Sequence, residues 1–249
     1  MNIEKKIKEK FLYKNYIIIK IIYLFFNRYF TLFKNFKRSY SQGSMDLILC
    51  DIFKDKKKGV YVDVGCQHPI KNNNTFLLYK KGWKGINIDL DEFNIELFKY
   101  NRPNDTNICK AISNKKEMAD LFFYHQKSPI NTLDNKISEL QKAKVKEVKK
   151  IETETLSNIL NSTLFNEIDL LTIDVEGYEL KVLNGFDFEK FQPKIIVVEF
   201  LDTTAKKWEI VYNNIYNVIN SDLFKFLSSK QYKLVNWVNG DLVFSLNKS

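Results

Sequence analysis

The chain has 249 residues, 45% of them hydrophobic, enough for one large α/β domain with a full core and too few for two. Its three cysteines, Cys50, Cys66 and Cys109, show no paired spacing, so neither a disulfide framework nor a zinc cluster is expected, and a reducing cytoplasm is the natural compartment. The formal charge of +9 is lopsided. Residues 1–40 hold eight lysines and two arginines against Glu4 and Glu9, which leaves about +1 for the other 209 residues and removes the basic excess a nucleic-acid-binding domain would need.

Residues 11–36 are rich in Ile and Phe but are interrupted by Lys14, Lys20, Arg28 and Lys34, so no run approaches the roughly 20 uncharged apolar residues of a spanning helix. On a helical wheel Lys20, Asn27, Thr31, Lys34 and Arg38 share one face, with Ile18, Ile22, Phe25, Phe26, Phe33 and Phe36 opposite. This predicts a basic amphipathic helix suited to an anionic membrane, peripherally at its inner face; packing on its own domain or on a partner protomer is the alternative. A small-residue cleavage site for a signal peptide is lacking. The expected organisation is a helical segment, 1–40, and a domain, 41–249, entered through the boundary Ser41-Gln42-Gly43-Ser44 and a short helix from Met45 to Phe53.

The domain is organised around residues 59–89. The β-branched run Val60 to Val64 stops at Gly65, a helix is expected from Thr75 to Lys81, and a second strand, Gly85 to Asp89, ends on a carboxylate. Two such strands with a crossover helix make a right-handed βαβ unit whose ligands bind at the carboxyl ends of the strands. Asp89 lies 24 residues past Gly65, near the spacing at which an acid reaches a ribose hydroxyl. Gly65 is followed by Cys66, Gln67, His68 and Pro69, without the closely spaced glycines that a pyrophosphate demands. A dinucleotide is therefore disfavoured, and S-adenosylmethionine, with a ribose and an adenine but no phosphate, fits better.

Further on, a helix is expected from Glu92 to Asn101, ended by Arg102-Pro103, then strands from Thr106 to Ala111 and from Ala119 to Tyr124. The lysine-rich stretch 141–150 reads as a solvated face. Strands Asp169–Asp174 and Ile195–Glu199 each end on an acid, Lys206 to Leu227 reads helical, and two closing strands, Tyr232–Val238 and Leu242–Leu246, are joined by the hairpin signal Asn239-Gly240.

From Val62-Asp63-Val64-Gly65 through Gly82-Trp83-Lys84-Gly85-Ile86-Asn87-Ile88-Asp89 and Ala111-Ile112-Ser113 to Ile168-Asp169-Leu170-Leu171-Thr172-Ile173-Asp174-Val175-Glu176-Gly177-Tyr178-Glu179, Val182 to Phe186 and Pro193 to Glu199, the chain resembles the FkbM family of S-adenosylmethionine-dependent methyltransferases over about residues 41–200. The Ile-Asp-Val-Glu-Gly-Tyr-Glu block is the specific part. Many family members carry a second glycine where this chain has His68-Pro69. The resemblance implies a Rossmann-like class I fold with a mostly parallel seven-stranded sheet and an antiparallel C-terminal hairpin. It also implies O-methylation of a sugar or polyketide-like hydroxyl, and a Ser41-Gln42 pair over the cofactor.

The expected cofactor contacts are Asp63, Gly65, Cys66, Asp89, Leu90, Ala111, Ile112 and Gln42. Methyl transfer is an in-line displacement in which a hydroxyl acceptor must also lose its proton. Asp174 and Glu176 are expected to face the acceptor, and one of them or His68 to take that proton. In rival readings Asp174, Glu176 and Glu199 hold Mg²⁺ or Ca²⁺, Glu176 caps the helix that follows it, and His68 only shapes its loop. Two alternatives to an O-methyltransferase are an inactive methyltransferase-fold scaffold at a membrane and an RNA methyltransferase. The near-neutral domain and the lack of an Asn-Pro-Pro-Tyr-type motif argue against the latter.

Overall fold

The structure is a computed structural model that describes residues 15–26, 28, 38–141, 143–202 and 214–247. The chain divides into two compact units, Met1–Arg38 and Ser39–Ser249. In the first, residues 15–26 form helix α1. No helix among the described residues is long and apolar enough to cross a membrane. The wheel positions Asn27, Thr31, Phe33, Lys34 and Phe36 lie outside the described residues, as do residues 206–213 of the expected Lys206 to Leu227 helix.

The second unit opens with Asp46, fully buried, whose carboxylate accepts from the Ser39 and Ser41 hydroxyls and the Tyr40 amide. That ties the entering chain to helix α2 (Met45–Ile52). There follow β1 (Val60–Val64), α3 (Phe76–Lys80), β2 (Lys84–Asp89), α4 (Glu92–Asn101), β3 (Thr106–Cys109), β4 (Ala111–Ser113), β5 (Met118–Phe123), α5 (Asn135–Leu140), β6 (Glu147–Thr155), α6 (Leu156–Asn161), β7 (Leu170–Ile173), α7 (Glu179–Asn184) and β8 (Ile195–Glu199). Helices α8 (Ile215–Asn220) and α9 (Asp222–Ser229) and strands β9 (Tyr232–Val238) and β10 (Asp241–Leu246) complete the chain.

Seven strands form one sheet in the order β3-β2-β1-β7-β8-β10-β9. The first five are parallel, and β10 runs antiparallel between β8 and β9. This is the mostly parallel sheet with an antiparallel C-terminal hairpin expected from the sequence. Strand alternation builds a core on each face. Val62, Val64, Ile86, Ile88, Leu171 and Ile173 pack on α6, α7 and α9, while Tyr61, Leu170, Ile195, Val197 and Val243 pack on α2, α3 and Trp83.

The middle of the chain departs from expectation. The strand read as Thr106–Ala111 is two. Lys110 donates its amide to the Asp89 carbonyl (2.9 Å), and the chain then leaves the main sheet to pair, as β4, with β6. The lysine-rich stretch leads directly into that β6, which also pairs antiparallel with β5. Its charged side chains sit on the solvent side of the three-stranded sheet β4-β6-β5, which hides the strand behind an exposed pattern.

One buried cation fixes the loop after β1. Arg102 is fully buried; its guanidinium donates to the Pro69 carbonyl (2.9 and 2.7 Å), to Thr75 Oγ1 (2.8 Å) and to Asn73 Oδ1 (2.5 Å), and lies 4.0 Å from the Asp105 carboxylate. Rings of Phe76, Tyr79 and Phe98 surround it at 5.0–5.5 Å. Removing one partner of such a set leaves buried charge uncompensated. Replacing Arg102 with Met is therefore expected to lower unfolding free energy by about 3–5 kcal/mol, measured by urea titration.

Candidate active site

The sheet reverses its winding between β1 and β7, and the strand ends there are drawn together. Gly65 and Cys66 donate their amides to the Ile88 carbonyl (2.8 and 3.2 Å), and the Asp174 amide donates to the Val64 carbonyl (2.9 Å). Gly65 has φ +79°, and a Cβ on it would meet the Asp174 carbonyl oxygen at 1.7 Å, so no other residue fits without prising β1 from β7.

The crevice above these ends holds about 710 Å³ of empty space when the open solvent at its mouth is counted. Val64, Gly65 and Gln67 form its floor, with Asp89 and Leu90 at the end of β2, Ala111 and Ile112 on β4, and Asp174, Val175 and Glu176 beyond β7. The roof is the 125–134 loop, which contributes Ser128, Pro129, Asn131 and Leu133. Hydrogen bonds from Lys127 N–H to Asp91 Oδ2 (2.6 Å) and from Thr132 Oγ1 to the Glu176 carbonyl (2.6 Å) tie it to the crevice walls, and main-chain bonds between Phe122 and Thr132 fasten it to β5.

Six sequence-predicted contacts, Gly65, Asp89, Leu90, Ala111, Ile112 and Asp174, therefore line one crevice together with Glu176. The Asp89 carboxylate is held from behind by the amides of Gln67 and Asp91 (both 2.8 Å) and by Asn94 Nδ2 (3.3 Å). Burial pushes its pKa up to about 6, and those donors pull against the rise.

Four expected site residues are placed elsewhere. Asp63 points to the opposite face of the sheet from Val62 and Val64, accepts from Thr75 Oγ1 (2.8 Å) and Asn73 Nδ2 (3.2 Å), and anchors the loop from below. Cys66 packs on Ile95 and Phe98, where burial holds its thiol protonated. His68 Nδ1 accepts from the amides of Ile70 and Lys71 (both 3.0 Å), so that nitrogen shapes the loop, and His68 is not among the crevice residues. Gln42 is exposed in a 3-10 turn before α2 and also lies outside the crevice lining.

Sequence reasoning missed Gln67 and Asn94, and it marked Ser128 and Asn131 only through the loop from His125 to Leu133, which resembles a family segment near the substrate side. The Ser128 hydroxyl is the telling one: it is buried, faces the crevice and has no hydrogen-bond partner among the described residues. An orphaned hydroxyl on the same crevice as Asp89 fits a ligand with polar groups of its own.

At the acceptor end, the carboxylate oxygens of Asp174, Glu176 and Glu199 lie within 4.8 Å of one another. Asp241, opposite Glu199 in the β8–β10 register, adds a fourth acid. The expected capping role for Glu176 belongs instead to Glu179, whose Oε1 accepts from the amides of Val175 and Gly177 (both 3.0 Å). Glu176 is left free to reach the crevice, in the left-handed region at φ 53°. Burial and the neighbouring acids push half-buried Asp241 up to about 7 and Glu176 to about 8 and raise Glu199 well above its usual value, whereas Asp174, an exposed residue, rises only to about 6. Near neutral pH Asp174 is thus the ionised member, while Glu176 and Glu199 hold protons. These are the oxygens the sequence offered for Mg²⁺, and a cation there would have to displace those protons.

The family model described as Methyltransferase FkbM domain matches residues 63–234. The chain belongs to the FkbM methyltransferase family. Among solved structures, this FkbM protein is similar to a TehB-like SAM-dependent methyltransferase from Corynebacterium glutamicum (13% identity, TM-score 0.42, covering 90% of this chain and 96% of that one). It is also similar to a putative caffeoyl-CoA O-methyltransferase from Staphylococcus aureus (10% identity, TM-score 0.42, covering 95% and 100%). No curated protein matches it.

The acid cluster has a consequence for stability. A carboxyl whose folded pKa is raised stabilises the fold fully below its unfolded value and loses that contribution as pH climbs through the folded value. For Glu176 the window runs from about 4.5 to about 8. Urea midpoints are expected to fall across that window, and Glu176→Gln to flatten the fall.

Proposed function

We propose that the protein is an S-adenosylmethionine-dependent O-methyltransferase acting on a hydroxyl of a sugar or a related polar metabolite. The observation that carries this is the placement of Asp89 and Asp174 on one crevice, 24 residues and 109 residues past Gly65, at the point where the sheet reverses. Asp89, oriented by three donors, offers its remaining lone pairs to a ribose diol, and Ser128 offers its unused hydroxyl. Leu90, Ala111, Ile112 and Leu133 supply apolar walls for an adenine. When bound, S-adenosylmethionine supplies a methyl group activated by a sulfonium.

The chain's own part is alignment and proton transfer. Asp174, ionised near neutral pH, takes the acceptor's hydroxyl proton as the oxygen–methyl bond forms and the sulfur–methyl bond breaks. Glu176 and Glu199, protonated beside it, donate hydrogen bonds that hold the acceptor without competing for that proton. The near-neutral charge of residues 41–249 speaks against an RNA substrate.

Calorimetry tests the cofactor half: S-adenosylmethionine should bind the wild type and lose detectable affinity in Asp89→Ala. An absence of binding to the wild type would favour an inactive scaffold instead. Asp174→Asn should keep that affinity while turnover drops by on the order of a hundredfold or more, and an unchanged rate would remove Asp174 as the base. The acceptor is sought by mass spectrometry of glycans and lipids from cells with and without the gene, as a shift of one methylene unit.

A further inference from the structure

Helix α1 is apolar nearly all round. Of residues 15–26 only Asn15 and Lys20 are polar, and Ile17, Ile18, Ile19, Ile21, Leu24 and Phe25 are all exposed, Ile19 and Phe25 by 65% and 66%. Soluble proteins seldom leave such a surface to water. The unit that carries it, Met1–Arg38, holds ten cationic side chains against Glu4 and Glu9, whereas the rest of the chain is close to neutral.

We propose that α1 docks on an anionic lipid surface, lying in the boundary between headgroups and acyl chains while the flanking lysines and arginines pair with lipid phosphates. Charge and exposure select this occupant. Two units of charge +8 repel each other but are drawn to negative lipid. The exposed isoleucines and phenylalanines of α1 suit the acyl boundary, and the stem of Lys20 lets its ammonium reach the headgroups.

The docking stands apart from the methyl-transfer reading, and its test needs no cofactor. The full-length chain is sedimented with vesicles of phosphatidylcholine alone and with phosphatidylglycerol added. It is expected to bind the anionic vesicles at least about tenfold more tightly, and less so at high salt. The double variant Ile18→Asp/Ile22→Asp should weaken that binding by on the order of a hundredfold, with the urea midpoint of the remaining domain unchanged. Equal binding to both vesicle types, no binding, or unaltered binding by the variant would each overturn the proposal. So would a lipid-indifferent dimer in light scattering that the variant dissociates, because α1 would then be covered by a second copy.

Discussion

The enclosure of Arg102 is the constraint on which the site depends. A guanidinium without water must find every donor a partner, and here those partners are the Pro69 carbonyl and the side chains of Asn73, Thr75 and Asn87. Three of the four belong to the loop that leaves β1. Its backbone is thereby set, including the Gln67 amide that holds Asp89 in the crevice. Asp63 joins the same lattice through Asn73 and Thr75, so the acid that looked like a ligand in the sequence is part of the support beneath one.

The acceptor side works by the opposite economy. Asp174, Glu176, Glu199 and Asp241 are crowded with no lysine or arginine ion-paired to any of them among the described residues, and the structure accommodates them by protonation. Like charges at such spacing cannot all ionise, and Asp174 titrates below its neighbours in the group. A hydroxyl meeting this group finds an acceptor for its proton and donors for its lone pairs in one place.

Much of this was legible. Apolar runs located β1, β2, β7 and β8, because strands covered on both faces leave continuous hydrophobic sequence. The interval from Gly65 to Asp89 identified one crevice acid, and the terminal acid of β7 the other. What stayed hidden was set by tertiary contact. Arg102 precedes Pro103 at a helix end, where a breaking role already accounts for it. Strand β6 is masked by its lysines and glutamates. Ser128 and Asn131 sit in a loop that only the family resemblance placed near the substrate, with no periodicity to mark the residues themselves. Asp63 was open to a better reading, since strict alternation with Val62 and Val64 already assigns it to the other face.

The roof of the crevice is hung at both ends from residues next to ligand-facing acids: Asp91, two positions beyond Asp89, and the main chain of Glu176 itself. The Thr132 hydroxyl thus fastens the loop to the same peptide that carries Glu176, so the roof and that acid share a fastening.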